Sequence, residues 1–190
     1  HEYTNPHVMF PGFADAKAAA AGTTAETAAI ELAAHGASVV EIKKDGAAWK
    51  VVDGSHYNRR LTLNTEMALS GPAAGHDRLK TSSDATGTKV LGMINNCGGG
   101  WTPWGTVLTA EENFHQYFGG DPAATPETEN YKRYGIKGEP SYPWGKFVDR
   151  FDVTKELNEP NRFGWIVEVN PYDPAFVPVK HTALGRFKHE

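Results

Sequence analysis

Alternating apolar and polar positions predict several short β-strands. The clearest strand is "FGWIVEVNP" (163–171), and "FVPVKHTALGRF" (176–187) predicts a second strand that returns after the turn "YDPA". The runs "KVLGMI" (89–94) and "GTVLTAEEN" (105–113) also have strand length. Short strands separated by Gly, Pro and Asp turns predict a mainly β fold such as a propeller, a barrel or a sandwich. No repeat of fixed period supports a regular propeller.

A β-hairpin is predicted between "SVVEIKK" (38–44) and "AAWKVV" (47–52). The connecting Asp45-Gly46 pair suits a tight turn in which the central residues take positive φ. The two apolar-rich runs on either side of it have strand length. We therefore expect two antiparallel strands here.

One helix and one long loop are predicted outside the strands. Residues 13–36 are rich in alanine, Thr23 or Thr24 can cap a helix, and Gly36 can end it. Residues 115–146 lack a clean period and are rich in Gly, Pro and Tyr, so we expect an inserted loop there. A loop of this length in a compact domain is usually functional.

Composition and charge narrow the function classes. The chain has 190 residues, a net charge of -4 and one cysteine. This charge argues against a nucleic-acid partner, and no apolar run has membrane-spanning length. A single cysteine excludes an internal disulfide and a four-cysteine zinc site. The chain begins at His1 and stops after "RFKHE", so we expect residues 1–190 to be a single-domain fragment of a larger protein, with any export signal upstream.

The single thiol, Cys97, lies in the segment "NNCGGGWTPWGTVLTAEENF". A lone cysteine is most often a small buried hydrophobic residue. The neighbouring Asn and Gly residues are poor core formers, but they allow the backbone to approach an ion closely. Cys97 could be a nucleophile or a metal ligand. A nucleophile needs a base, and the first histidine after it in this segment is His115.

Four glutamates are candidate metal ligands. Glu111 and Glu112 end a predicted strand and point to opposite faces, and parity does not choose between them. Glu2 and Glu190 belong to His-Glu pairs at the two ends of the chain. Mixed sulfur and oxygen ligands from Cys97 and these carboxylates suggest iron, whereas Glu2 with carbonyl oxygens and water would suit calcium. HExxH, CxxC and EF-hand patterns are absent.

Two cations flank these segments. Lys89 and Arg186 could be solvated charges at strand ends, or they could contact an anionic substrate such as phosphate. The sequence has no GxxxxGK[ST] loop, and no helix pattern follows "CGGGWTPWG". A nucleotide-binding loop is therefore not predicted.

Three strings resemble the PhoX-type alkaline phosphatase family: "HEYTNP…MFPG", "NNCGGGWTPWGTVLTAEENF", and "NEPNRFGWIVEVNPYDP" running into "ALGRFKHE". The resemblance extends over the whole chain. It implies a bacterial enzyme that is exported by the twin-arginine route to the periplasm or the medium and hydrolyses phosphate monoesters. It also implies part of an irregular six-bladed β-propeller, with inserted loops and one or two short helices, that carries iron and calcium.

The resemblance also implies roles for individual residues. Cys97 would be a thiolate ligand to ferric iron, and Glu112 and Glu190 would be carboxylate ligands of the catalytic cluster, with Glu111 as the alternative to Glu112. Glu2 would lie beside calcium. Lys89, and less strongly Arg186, would contact the phosphate. Further ligands and an active-site arginine are expected beyond Glu190, so the 190 residues alone should not assemble a whole site. The partners would be small phosphate esters, with the protein a monomer.

Two other functions remain open. A calcium-dependent propeller hydrolase, such as a lactonase or a phosphotriesterase-like enzyme, would use carboxylates around one ion without iron. A non-catalytic propeller would serve in binding or surface attachment. A cysteine hydrolase is disfavoured, because no base accompanies the thiol locally.

Overall fold

The computed structural model describes residues 1–190. In chain order the strands are β1 (Ala37–Val39), β2 (Ile42–Asp45), β3 (Ala48–Val51), β4 (Arg59–Leu61), β5 (Glu66–Ser70), β6 (Lys89–Leu91), β7 (Asn96–Trp101), β8 (Val107–Glu111), β9 (Ile166–Val169) and β10 (Val179–His181). The α-helices are α1 (Pro6–Met9), α2 (Ala16–Ala21), α3 (Ala25–Ala34) and α4 (Thr128–Tyr134), and seven short 3₁₀ helices occur in the connections. None of the helices has the length and apolarity needed to cross a lipid bilayer.

The central element is a six-stranded mixed sheet in the order β6-β5-β10-β9-β8-β7. Its neighbours pair antiparallel except β5 and β10, which are parallel with Ala68 opposite Val179. Two further pairs, β1 with β4 and β2 with β3, form separate two-stranded sheets. The prediction of a mainly β fold with few helices is confirmed, while the six-bladed propeller stays a prediction.

The predicted hairpin is present as β2 and β3. Asp45 pairs with Ala48, and Gly46 takes φ 62°, as the Asp-Gly turn requires. All eight strand residues are exposed. The hairpin therefore stands away from the core.

The predicted helix over residues 13–36 is instead two helices. Asp15 caps α2 by accepting a hydrogen bond from the backbone N–H of Ala18, and α2 ends before Gly22. The Thr24 side chain then caps α3 in a reciprocal arrangement with Thr27. Each cap fixes a new start, which is why one alanine-rich run gives two elements.

The prediction of an inserted loop over residues 115–146 is wrong. The segment holds α4 and several 3₁₀ turns, and it contributes large buried side chains to a core of 23 residues. Those side chains are Tyr117, Phe118, Tyr131, Ile136, Tyr142 and Trp144. Their irregular spacing matches neither a helix nor a strand period, so pattern analysis does not detect them.

Candidate functional site

The turn before Cys97 is fixed by Asn95. This residue takes φ 52°, a left-handed conformation that asparagine tolerates better than most residues. Its side-chain oxygen accepts a hydrogen bond from the backbone N–H of Asn113 (2.9 Å), and its amide nitrogen donates to the hydroxyl of Tyr117 (2.9 Å). Its carbonyl accepts the backbone N–H of Glu112 (3.0 Å). The turn thus brings the Cys97 segment next to Glu112.

Cys97 lies on β7, the edge strand of the sheet, with an exposed thiol. Its Sγ donates a long hydrogen bond to the carbonyl oxygen of His189 (3.7 Å). The register between β7 and β8 shifts between Asn96 and Gly99, which marks an irregularity of the bulge type at the cysteine. A Cβ atom at Gly98 would lie 2.7 Å from the carbonyl carbon of Glu190, so glycine is needed for this close approach. The last residues therefore pack directly on the Cys97 strand.

Three of the predicted carboxylates influence this thiol through their charge. Partial desolvation raises the pKa of Cys97 most, and the negative charges of Glu112, Glu2 and Glu190 raise that pKa further, while the Gly98 backbone N–H opposes the shift. Like charges act in this way only over short distances. The backbone contacts of Glu112 with Asn95 and of Glu190 with Gly98 place these two glutamates beside the Cys97 strand, and the charge of Glu2 also acts on the thiol. No three His, Cys, Asp or Glu side chains meet at metal-ligating distance.

Asn96 adds an amide without a protein partner. Both its side-chain oxygen and its nitrogen are buried, and neither forms a hydrogen bond. A buried polar group left in this state costs about 1–3 kcal/mol. Because Asn96 adjoins Cys97, its amide is available to a ligand that binds there.

A cleft of about 890 Å³ opens beside Cys97. Trp101, Tyr172 and several valines form an apolar wall. The polar and ionisable lining residues are His1, Ser38, Glu41, Tyr57, Asn96, Cys97 and Thr109. The side chains of Glu2, Glu112 and Glu190 do not line this cleft. The thiol therefore lines the cleft, whereas these three glutamates lie outside its lining.

Glu111 is engaged elsewhere, which corrects its assignment as a possible metal ligand. Its carboxylate is fully buried and pairs with Lys180 (2.7 Å). The same carboxylate accepts backbone N–H groups from Ile94 (3.0 Å), Gly164 (2.9 Å) and Trp165 (3.1 Å). Four donors occupy all the lone-pair sites of a carboxylate. Of the adjacent pair, Glu112 is the residue with a carboxylate left for a cation.

The two predicted phosphate contacts lie apart from the thiol. Lys89 is exposed on β6, the edge strand opposite β7, and pairs with Glu66 (3.2 Å). Arg186 donates to the carbonyl oxygens of Phe163 (2.9 Å) and Pro160 (2.7 Å) and stacks over Tyr134 at 3.9 Å. Burial lowers the pKa of Arg186 to about 10. In this structure both cations bind protein groups, so their contact with phosphate stays a prediction.

Sequence reasoning did not identify Lys180 or Tyr117 as part of this region, and it considered Asn96 only for its backbone. The position of Lys180 in the apolar-rich run "FVPVKH" indicated a buried lysine that needs an acidic partner. Asn96 stands in the "NNC" string, but only coordinates show that its amide lacks a partner. Tyr117 lay in a segment interpreted as a loop.

Comparison with known proteins identifies the family. A family model described as "Alkaline phosphatase PhoX" matches residues 1–190. The chain belongs to the PhoX alkaline phosphatase family. A structure of Pseudomonas fluorescens PhoX in complex with vanadate, a transition state analogue, is 46% identical with a TM-score of 0.90. The match covers 100% of this chain and 32% of that PhoX chain, so the present chain spans about a third of its relative. No curated protein matches.

Proposed function

We propose that the complete gene product containing this chain hydrolyses phosphate monoesters at a metal centre that includes Cys97, Glu112 and Glu190. The observation that carries the proposal is that the backbones of Glu112 and Glu190 pack against the strand of an exposed thiol, Glu112 through its N–H to Asn95 and Glu190 beside Gly98. PhoX family membership and the similarity to a PhoX structure with bound vanadate support the reaction class.

The residues present suit bound cations. Glu2, Glu112 and Glu190 add negative charge around a thiol whose ionisation they oppose, and a cation would reverse that effect. The buried amide of Asn96 has no protein partner and could supply a further oxygen. A thiolate with carboxylates suits iron, and an all-oxygen set suits calcium. Because no three ligands meet as the chain stands, cation binding must draw these side chains together or recruit others.

Each residue then has a defined task. Cys97, Glu112 and Glu190 would hold iron, and Glu2 would hold calcium. When bound, the cations would neutralise the phosphate dianion and stabilise the departing oxygen. Lys89 or Arg186 would bind the phosphoryl oxygens only after release from their present partners, Glu66 and the backbone carbonyls. Cys97 would bind metal and not attack the substrate.

The test is the variant Cys97→Ser in the complete gene product. We expect wild type to contain iron and calcium by elemental analysis and to hydrolyse p-nitrophenyl phosphate, with activity lost on chelation. Cys97→Ser should lose iron and activity while keeping the unfolding midpoint of metal-free wild type, since the thiol makes only weak protein contacts, to the His189 carbonyl and the Gly98 N–H. Retention of iron and activity by this variant would contradict the assignment of Cys97.

The same assays separate the alternatives. Calcium without iron, together with lactone or phosphotriester turnover, would favour the calcium-dependent propeller hydrolase. Absence of all turnover in calcium buffer would favour a binding module. We further propose that the protein is exported and that its complete fold is a propeller, which family membership supports. We also propose that it is a monomer. Cell fractionation and light scattering test export and oligomeric state.

A further inference from the structure

A buried ion pair joins the segments that carry the candidate ligands. Glu111 and Lys180 are both fully buried, with Nζ of Lys180 2.7 Å from Oε1 of Glu111. Lys180 also donates to the carbonyl oxygen of Arg162 (3.1 Å) and lies 4.0 Å from the ring centroid of Phe163. The pair connects β8 to β10 through the interior, across the intervening strand β9.

The Glu111 carboxylate fixes the backbone just before Cys97 by a hydrogen bond. Its Oε1 accepts the backbone N–H of Ile94, three residues before the cysteine, at 3.0 Å. Its Oε2 accepts the N–H groups of Gly164 and Trp165 at 2.9 and 3.1 Å. One side chain thus joins the backbone just before the "NNC" string to the backbone that enters β9.

The Glu111 backbone holds the other two ligand segments. Its carbonyl accepts the N–H of His189 (3.1 Å), which places Glu190 next in the chain. Glu112 follows Glu111 directly, and its N–H donates to Asn95 (3.0 Å). The thiol of Cys97 then returns a hydrogen bond to the His189 carbonyl. The segments bearing Cys97, Glu112 and Glu190 are therefore all anchored on one residue.

We propose that Glu111 and Lys180 are positioning residues that hold the segments of Cys97, Glu112 and Glu190 in register for cation binding. The inference rests on the proposed function. Glu111 acts through its neighbours and touches no substrate. Removal of partners in this position behind metal ligands typically lowers metal affinity about 10–100-fold.

Three variants of the complete gene product test the inference: Glu111→Gln, Lys180→Met and the double variant. Each single change leaves a buried group without its partner, so both single variants should unfold at lower urea than wild type. The double variant removes both charges and should recover the part of that loss caused by the unpaired charge, while the amide nitrogen of the new side chain still faces a backbone N–H group that it cannot accept. All three should bind ferric iron and calcium about 10–100-fold more weakly. Asp149→Asn, which breaks an exposed pair with Lys155, is the matched control and should change neither property.

The double variant decides between positioning and stability alone. Recovery of both stability and metal affinity would overturn the inference, as would wild-type metal affinity in either single variant. Hydrogen exchange in the metal-free protein gives an independent measurement. Faster exchange in residues 94–99 and 164–165 of the double variant is expected, because the Glu111 carboxylate accepts the N–H groups of Ile94, Gly164 and Trp165, and unchanged exchange would contradict positioning. If wild type binds no metal, the proposed function fails, and the exchange result still decides whether the pair orders these segments.

Discussion

Acid should destabilise this protein through His35, a fully buried histidine at the end of α3. Its Nδ1 lies 2.8 Å from the carbonyl oxygen of Glu31 and its Nε2 lies 3.1 Å from the hydroxyl of Tyr117. A neutral ring satisfies both contacts, with Nδ1–H donating to the carbonyl and Nε2 accepting from the tyrosine. The tyrosine oxygen in turn accepts from Asn95, so the relay reaches the turn before Cys97.

The magnitude follows from burial. Desolvation lowers the pKa of His35 from 6.5 to about 4, opposed by the hydrogen bond to the Glu31 backbone. Between these pH values the unfolded chain binds a proton at His35 that the folded chain does not bind, so the free energy of unfolding falls as the pH decreases. At about 1.4 kcal/mol per pH unit, the loss between pH 6.5 and pH 4 is about 3 kcal/mol. Above pH 6.5 the full contribution is present.

The assay is urea unfolding of wild type and His35→Gln at half-unit steps from pH 4 to pH 8. His35→Gln should be less stable at pH 7, and its free energy of unfolding should fall less steeply below pH 6.5. The difference between the two curves should narrow by about 3 kcal/mol at pH 4. His56→Gln, a change at an exposed position, is the control and should follow wild type. Parallel wild-type and His35→Gln curves would refute the reasoning.

Two further predictions concern the thiol strand and the sheet. Gly98→Ala would place a methyl group 2.7 Å from the backbone of Glu190 and should weaken metal binding. Gly100→Ala is the control, because no atom lies within 4 Å of its new Cβ, and it should bind metal as wild type does. Equal metal content of the two variants by elemental analysis would contradict this prediction. Hydrogen bonds from Thr106 and then Trp104 lower the pKa of Glu168. Wild type should therefore lose stability as pH falls below 4.5, and Glu168→Gln should lose less stability over the same range. Matching acid unfolding curves of the two proteins would count against this explanation.

Elements defined by local chemistry were predictable. The hairpin β2–β3 follows from Asp45-Gly46, and Thr24 is the observed cap of α3. The strand predicted over 163–171 is present as β9. In each of these cases the determining residues lie within a few positions of the element they specify. Local pattern is sufficient there.

Features that depend on distant partners were not predictable. The parallel pairing of β5 with β10 depends on residues far apart in sequence, and no short motif encodes it. The core role of Trp144 within the mispredicted segment 115–146 depends on packing, including its indole N–H bond to Glu31 at 3.0 Å. Parity left Glu111 and Glu112 equivalent, and only the partner Lys180, 69 positions away, separates them.

The family strings singled out Cys97, Glu112, Glu2 and Glu190, and their role as a metal site stays a prediction. The structure places the backbones of Glu112 and Glu190 beside the Cys97 strand, a proximity that no local pattern in the sequence predicts. The same strings gave no indication that Arg186 would be held by backbone carbonyls and aromatic rings. An arginine that binds substrate and an arginine that binds only protein groups look the same in the sequence. Only the three-dimensional arrangement distinguishes them.

The pairing of β5 with β10 cannot form during synthesis until β10 has been made. Ser70 and His181 lie side by side although 111 positions separate them. At a translation rate of about 5–20 residues per second, the nascent chain exposes one edge of β5 for about 6–20 s before its neighbour leaves the ribosome. An unpaired edge of this kind is a template for aggregation and a natural target for chaperones during that interval. Ribosome-bound chains that stop before residue 179 should therefore be the most dependent on such assistance.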